Sequence, residues 1–107
     1  MSKNNIIPLP VLKILKILGQ NIRNARLRRR ITMKLLAERA GINVLTLAKV
    51  EKGNESTFIG SYASVLFSLG MIDQLKNIGD ITNDLVGRML DEERLPKRIK
   101  MNKKEKD

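Results

Sequence analysis

Residues 18–53 read LGQNIRNARLRRRITMKLLAERAGINVLTLAKVEKG, and the punctuation inside this stretch decides the fold. Thr32 is a good N-cap, because its hydroxyl accepts a hydrogen bond from an amide of the first turn that follows. It opens a helix from Met33 to Ala40 in which Leu36, Ala37 and Ala40 share one face. Gly41 ends that helix, since a C-terminal cap needs a residue that takes positive φ without strain. Ile42 follows as an inward apolar residue, and Asn43 caps the next helix, Val44 to Lys52, whose Leu47 and Val50 point back to the same core. Gly53 and Asn54 stop it. The small Ala37 lets the two axes approach closely at a steep angle, and the outer face of the second helix is left free.

Working outward, Met1–Leu9 reads as an arm, and a helix is expected from Pro10 to Arg29, with Pro10 in the first turn where its missing donor costs nothing. Val11, Ile14, Leu15, Leu18, Ile22, Ala25 and Arg29 fall along its inward face. Leu12 and Ile17 are surplus apolar positions suited to a second subunit or to the C-terminal segment, and Gly19 weakens the middle enough to break the helix in two. Beyond Asn54, a helix from Ile59 to Leu69 buries Tyr62, Val65, Leu66 and Leu69. Phe58, Tyr62 and Phe67 read as core or edge packing and not as a base-stacking platform. A short helix over Met71–Asn77, a loop over Gly79–Asn83 and a helix from Leu85 to about Arg94 capped by Asp84 complete the pattern; Pro96 is expected to end regular helix. The expected organisation is an arm at 1–9, a main helical domain at 10–78, a helical extension at 79–96 and a basic flexible tail at 97–107.

The 107 residues carry 21 Lys and Arg against 11 Asp and Glu, a formal net charge of +10. Residues 1–54 hold 12 basic and 2 acidic side chains, residues 55–96 hold 3 and 7, and residues 97–107 hold 6 and 2. A polyanion would therefore bind the first half, and the acidic segment is a different surface; a merely solubilising charge is the bland alternative. Aromatic residues make up only 3% of the chain, so Ile, Leu, Val and Ala must fill the core of one small domain. Cys and His are absent, which excludes disulfides, Cys/His zinc centres, thiol nucleophiles and imidazole acid–base chemistry. With no glycine-rich phosphate loop or metal-ligand cluster either, no enzyme activity, cofactor, metal or small-molecule ligand is expected. Absence of Cys fits a reducing cytoplasm. The apolar stretch Val11–Leu18 contains Lys13 and Lys16, is too short to span a bilayer and lacks a cleavage site, so neither a secretory signal nor a membrane partner is expected.

Helix, glycine turn, helix, with Ala37 at the crossing and Ile42, Leu47 and Val50 behind, is the helix-turn-helix pattern, whose second helix enters a major groove. Leu18–Gly53 resembles the lambda-repressor-like (Xre) DNA-binding domains, most strongly in LAERAG and VEKG. Further along, SYASVLFSLGM (61–71) and NDLVGRMLDEERLPKRIK (83–100) look like the HipB-type antitoxins that accompany HipA-like kinase toxins. The resemblance implies an all-α fold, a five-helix lambda-repressor-like domain with a short helical C-terminal extension. It implies a repressor of its own toxin–antitoxin operon, acting as a homodimer on an inverted-repeat operator in double-stranded DNA, with a HipA-like kinase toxin as protein partner. Two other functions stay open: a stand-alone Xre-type or phage-type repressor without a toxin, and a protein-interaction module that has lost DNA binding. A downstream kinase-like reading frame separates the first two, and an operator shift assay separates the third.

Carried onto this sequence, the resemblance makes Val44–Lys52 the recognition helix, with Val44, Leu45, Thr46 and Lys49 turned to the bases. Family members usually present Gln, Arg, Ser or Asn at several of these positions. Apolar Val44 and Leu45 can meet thymine methyls but cannot make the bidentate bonds that discriminate G or A, which leaves Lys49, Thr46 and DNA shape to carry specificity. The same pair buried against another subunit would mark a repurposed helix-turn-helix. Met33 stands where Gln often begins the second helix, and Arg30 where Gly, Asn or Lys is common. Phosphate contacts are expected from Arg23, Arg28, Arg29, Met33, Lys34, Asn43, Lys52 and Asn54. Arg26 and Glu51 occupy positions that form a structural ion pair in the family. Asp91, Glu92, Glu93 and Arg94 are the expected contact for a partner protein, and the tail from Lys97 is suited to either DNA or the toxin.

Overall fold

The computed structural model describes the backbone of residues 6–101 and the side chains of residues 6–93. Residues 1–5 of the expected arm, residues 102–107 of the expected tail and the side chain of Arg94 lie outside the described residues. Every regular element that is described is helical: α1 (Leu9–Arg28), α2 (Met33–Ala40), α3 (Val44–Glu51), α4 (Ile59–Ser68), two 3₁₀ segments (Ile72–Asn77 and Ile81–Asn83) and α5 (Leu85–Met101). The chain divides into two compact units, one ending at Asp73 and the other starting at Gln74, earlier than the expected boundary at residue 78.

Local chemistry sets the ends of the elements in the first unit. Pro10 sits in the first turn of α1, and Arg26 and Arg28 lie in its last turn, where the helix dipole is negative. Thr32 Oγ1 accepts from the Leu35 amide at 3.1 Å and Asn43 Oδ1 accepts from the Thr46 amide at 2.7 Å, so both short helices are capped by their own N-terminal neighbour. Gly41, between them, has φ +72°. After α1 the same left-handed position is held by Arg30, at φ 56°. The Arg30 amide bonds to the Leu27 carbonyl at 2.9 Å and the Ile31 amide reaches back to the Arg26 carbonyl at 3.5 Å, the double closure of a Schellman end. A side chain there is strained, so Arg30→Gly is expected to stabilise the unit by about 1 kcal/mol, read as a rise of about 5 °C in melting temperature.

The core is made of Ile22 and Ala25 from α1, Leu36 and Ala37 from α2, Leu47 and Val50 from α3, and Tyr62, Val65 and Leu66 of α4 with the following Leu69. Leu18, Ile31, Met33, Ala40, Ile42, Met71 and Ile72 pack half-buried around it. Only the second half of α1 joins this core. Val11 and Ile14, expected inward, are exposed, as is Ile17; Arg29 is also exposed, and the arginine that α1 buries is Arg26. In the first half of α1, Leu12 and Leu15 are half-buried and the backbone of Leu15 and Lys16 lies against Gly53, while Val11, Ile14 and Ile17 stay exposed.

Gly19 does not break α1. It is buried, and a Cβ built on it would lie 2.5 Å from the Gly53 amide nitrogen and 2.7 Å from the carbonyl oxygens of Val50 and Glu51. The glycine is there so that α1 and the end of α3 can touch backbone to backbone. Two aromatic expectations also fail: Phe58 and Phe67 are 83% and 70% exposed, and Tyr62 alone enters the core.

In the second unit, the stretch expected as a short α-helix is the 3₁₀ segment Ile72–Asn77, which begins at the end of the first unit and contains no buried residue to anchor a longer helix. α5 continues through Pro96 to Met101, in place of the expected stop and tail. Proline inside a helix costs about 3 kcal/mol, and the Glu, Arg, Leu and Lys residues on either side of it are good helix formers that carry the helix onward. No described helix is long and apolar enough to cross a membrane.

Candidate nucleic-acid interface

α3 is positioned by its inner face. Leu47 and Val50 are fully buried, and Glu51 is held by α1: Arg26 Nε donates to Glu51 Oε2 at 2.7 Å and Nη2 to Oε1 at 3.1 Å. The remaining Arg26 nitrogen, Nη1, donates to the Ile31 carbonyl at 3.1 Å. One buried guanidinium thus joins α1, the end of α3 and the loop that leads into α2, with both charges paired and hydrogen-bonded. Behind α3, the Tyr62 hydroxyl donates to the Asn54 carbonyl at 2.7 Å and fixes the start of the loop toward α4. Burial raises the pKa of Tyr62 above its ordinary value, and the charge of Glu55 adds to the shift.

With that face fixed, the opposite side of α3 is open. Val44 is 42% and Leu45 76% exposed, Lys49 is exposed, and Thr46 and Ala48 are half-buried. An open groove beside α3 is lined by Lys16, Gln20 and Arg23 of α1, Met33 at the start of α2, and Ala48, Glu51 and Lys52. Its three cations face a single carboxylate, and that carboxylate is bonded to Arg26. Lys16, Gln20 and Ala48 were not among the expected contacts. The α1 residues are four and three positions apart, which is one helical face, so the signal was present in the spacing.

The other expected phosphate contacts divide by what their side chains already do. Arg28 and Lys34 are exposed. Arg29 is exposed but its Nη1 donates to the Ala25 carbonyl at 2.9 Å, closing the end of α1. Asn43 spends its side-chain oxygen on the α3 cap. Asn54 spends its own on the Ser56 amide at 2.7 Å and the Thr57 hydroxyl at 3.0 Å, which makes it the organiser of the loop after α3. These bonds use the side-chain oxygens of both asparagines, whereas a phosphate would accept from their side-chain N–H groups. Of the expected partner contacts, Glu92 and Glu93 are exposed and Asp91 is half-buried on α5. Asp91 and Glu92 line a shallow hollow with Ile81, Leu85, Arg88 and Met89, entirely within the second unit.

The arrangement offers a polyanion a helix with an exposed apolar tip, a lysine one turn on, and basic side chains along its flank. No family model matches the chain, and neither the curated proteins nor the solved structures give a match.

Proposed function

We propose that the chain is a cytoplasmic DNA-binding repressor whose first unit has the lambda-repressor-like arrangement and whose α3 lies in the major groove of double-stranded DNA. The observation that carries this reading is the two-sidedness of α3: Leu47, Val50 and Glu51 anchor it, while Val44, Leu45 and Lys49 project beside a groove bearing Lys16, Arg23 and Lys52. A single α3 touches few base pairs, so a homodimer on an inverted repeat, with half-sites about one helical turn apart, is part of the proposal.

Fluorescence anisotropy with the full chain and duplexes enriched from a random pool tests it. Each neutralised phosphate should lower log K by about 0.9 per tenfold rise in salt. Lys49→Ala is expected to weaken the enriched duplex by about 1–3 kcal/mol and relax its sequence preference, whereas Lys52→Ala should weaken all duplexes alike and reduce the salt slope by about 1. Both positions are exposed, so the helical circular dichroism should not change. Salt-insensitive binding, or no binding, would remove the proposal.

The wider reading, an antitoxin that represses its own operon and binds a HipA-like kinase, is carried by the resemblance of residues 61–71 and 83–100. The exposed Leu85, Val86, Met89 and Leu90 on α5, beside an acidic stretch, support a protein partner at that surface. Exposed Val44 and Leu45 favour one alternative, a helix-turn-helix turned to protein binding, which the same anisotropy experiment separates.

A further inference from the structure

We propose that the first turn of α3 reads its half-site through the 5-methyl groups of thymine and not through paired hydrogen bonds to base edges, alongside the polar contact of Lys49; this rests on the DNA-binding reading above and deepens it. The side chains at the tip of α3 decide it. Val44 and Leu45 are the exposed residues of its first turn, Ala48 continues the apolar surface one turn on, and Met33 stands across the groove from Ala48 at the start of α2. At the two helix starts the side-chain oxygens of Thr32 and Asn43 accept from the Leu35 and Thr46 amides. Lys49 is the one charged side chain among the outward positions of α3.

In the major groove the thymine 5-methyl is the apolar group that a base pair presents; the remaining edge atoms are hydrogen-bond donors or acceptors. Seating Leu45 against guanine O6 and N7 or cytosine N4 would strip water from them and return no bond. The apolar tip therefore favours T·A steps and disfavours G·C ones by the same contact. Charge fixes the class of occupant: Lys16, Arg23 and Lys52 line the groove along α3 and Lys49 is exposed on α3 itself, which suits a polyanion that also carries methyl groups.

Deoxyuridine lacks the methyl and keeps the hydrogen-bonding edge of thymidine, so it isolates the contact. Duplexes enriched by the full chain from a random pool are expected to carry thymines within each half-site. Replacing a contacted thymidine by deoxyuridine should weaken binding about fourfold, the value of one buried methyl-sized group. Leu45→Ala, at a position exposed in the fold, should lose a similar factor on the thymine duplex and become indifferent to uridine at one position. Enriched duplexes whose affinity no uridine changes, or a uridine effect that survives Leu45→Ala together with Val44→Ala, would overturn this inference alone. Failure to enrich any duplex over the starting pool would overturn the DNA-binding reading and this inference with it.

Discussion

Gly53→Ala is expected to destabilise the first unit by about 2–5 kcal/mol, a large part of its total stability. Two independent penalties meet at this residue. Its φ of +70° lies in the left-handed region, where a side chain costs about 1–2 kcal/mol. A Cβ there would also collide with the Leu15 carbonyl and with the Lys16 Cα, which are backbone atoms of α1 and cannot swing aside. Forcing them apart adds about 1–3 kcal/mol of overpacking, and α1 leaving α3 would loosen the Arg26–Glu51 pair as well. Gly19→Ala meets the same contact from the other side, without the φ penalty, and should lose about 2–3 kcal/mol. Urea titrations followed by circular dichroism check both; equal midpoints for Gly53→Ala and the parent chain would show that the close approach carries no strain.

Glu51→Ala is expected to lose about 3–5 kcal/mol, because it leaves the Arg26 guanidinium buried without a counter-charge. A unit of this size is stabilised by about 4–10 kcal/mol in total, so that loss removes a large fraction of the margin. The pair as a whole is a different matter. Arg26→Met combined with Glu51→Leu removes both charges and refills the space, and it should recover most of the lost stability. Additive losses in the double variant would mean that the two side chains act separately and would contradict the bidentate geometry. If the double variant folds but binds DNA poorly, the pair's contribution is to the setting of α3 against α2, since Arg26 also holds the Ile31 carbonyl.

Local signals were the legible ones. Thr32, Gly41 and Asn43 mark element ends through bonds to residues three or four positions away, and the structure places each where its chemistry requires. The spacing of Leu36, Leu47 and Val50 likewise located the core. Long-range packing was not legible. Gly19 looks like a flaw in a helix until Gly53 is brought against it, and no periodicity in α1 tells where its partner stops, which is why the apolar spacing points Val11 and Ile14 inward although both are exposed. Phe58 and Phe67 misled for the opposite reason: aromatic residues carry a strong expectation of burial, yet the core was already filled by aliphatic side chains. At the site, the basic face Lys16–Gln20–Arg23 was written in the spacing but hidden beside a more conspicuous apolar pattern. The polarity of Asn43 and Asn54 is plain in the sequence, but not that their side-chain oxygens cap α3 and order the loop after it.

Tyr62 is the only tyrosine of a chain that has no tryptophan, and its hydroxyl is tied to the segment that leaves α3. Ultraviolet emission from this protein therefore originates at one address, immediately behind the helix proposed to meet DNA. Because burial holds the phenol protonated past its usual range, alkaline buffers should not quench that signal through ionisation until the pH exceeds the range where free tyrosine darkens. The molecule carries its own optical probe, and no label is needed to watch this corner open.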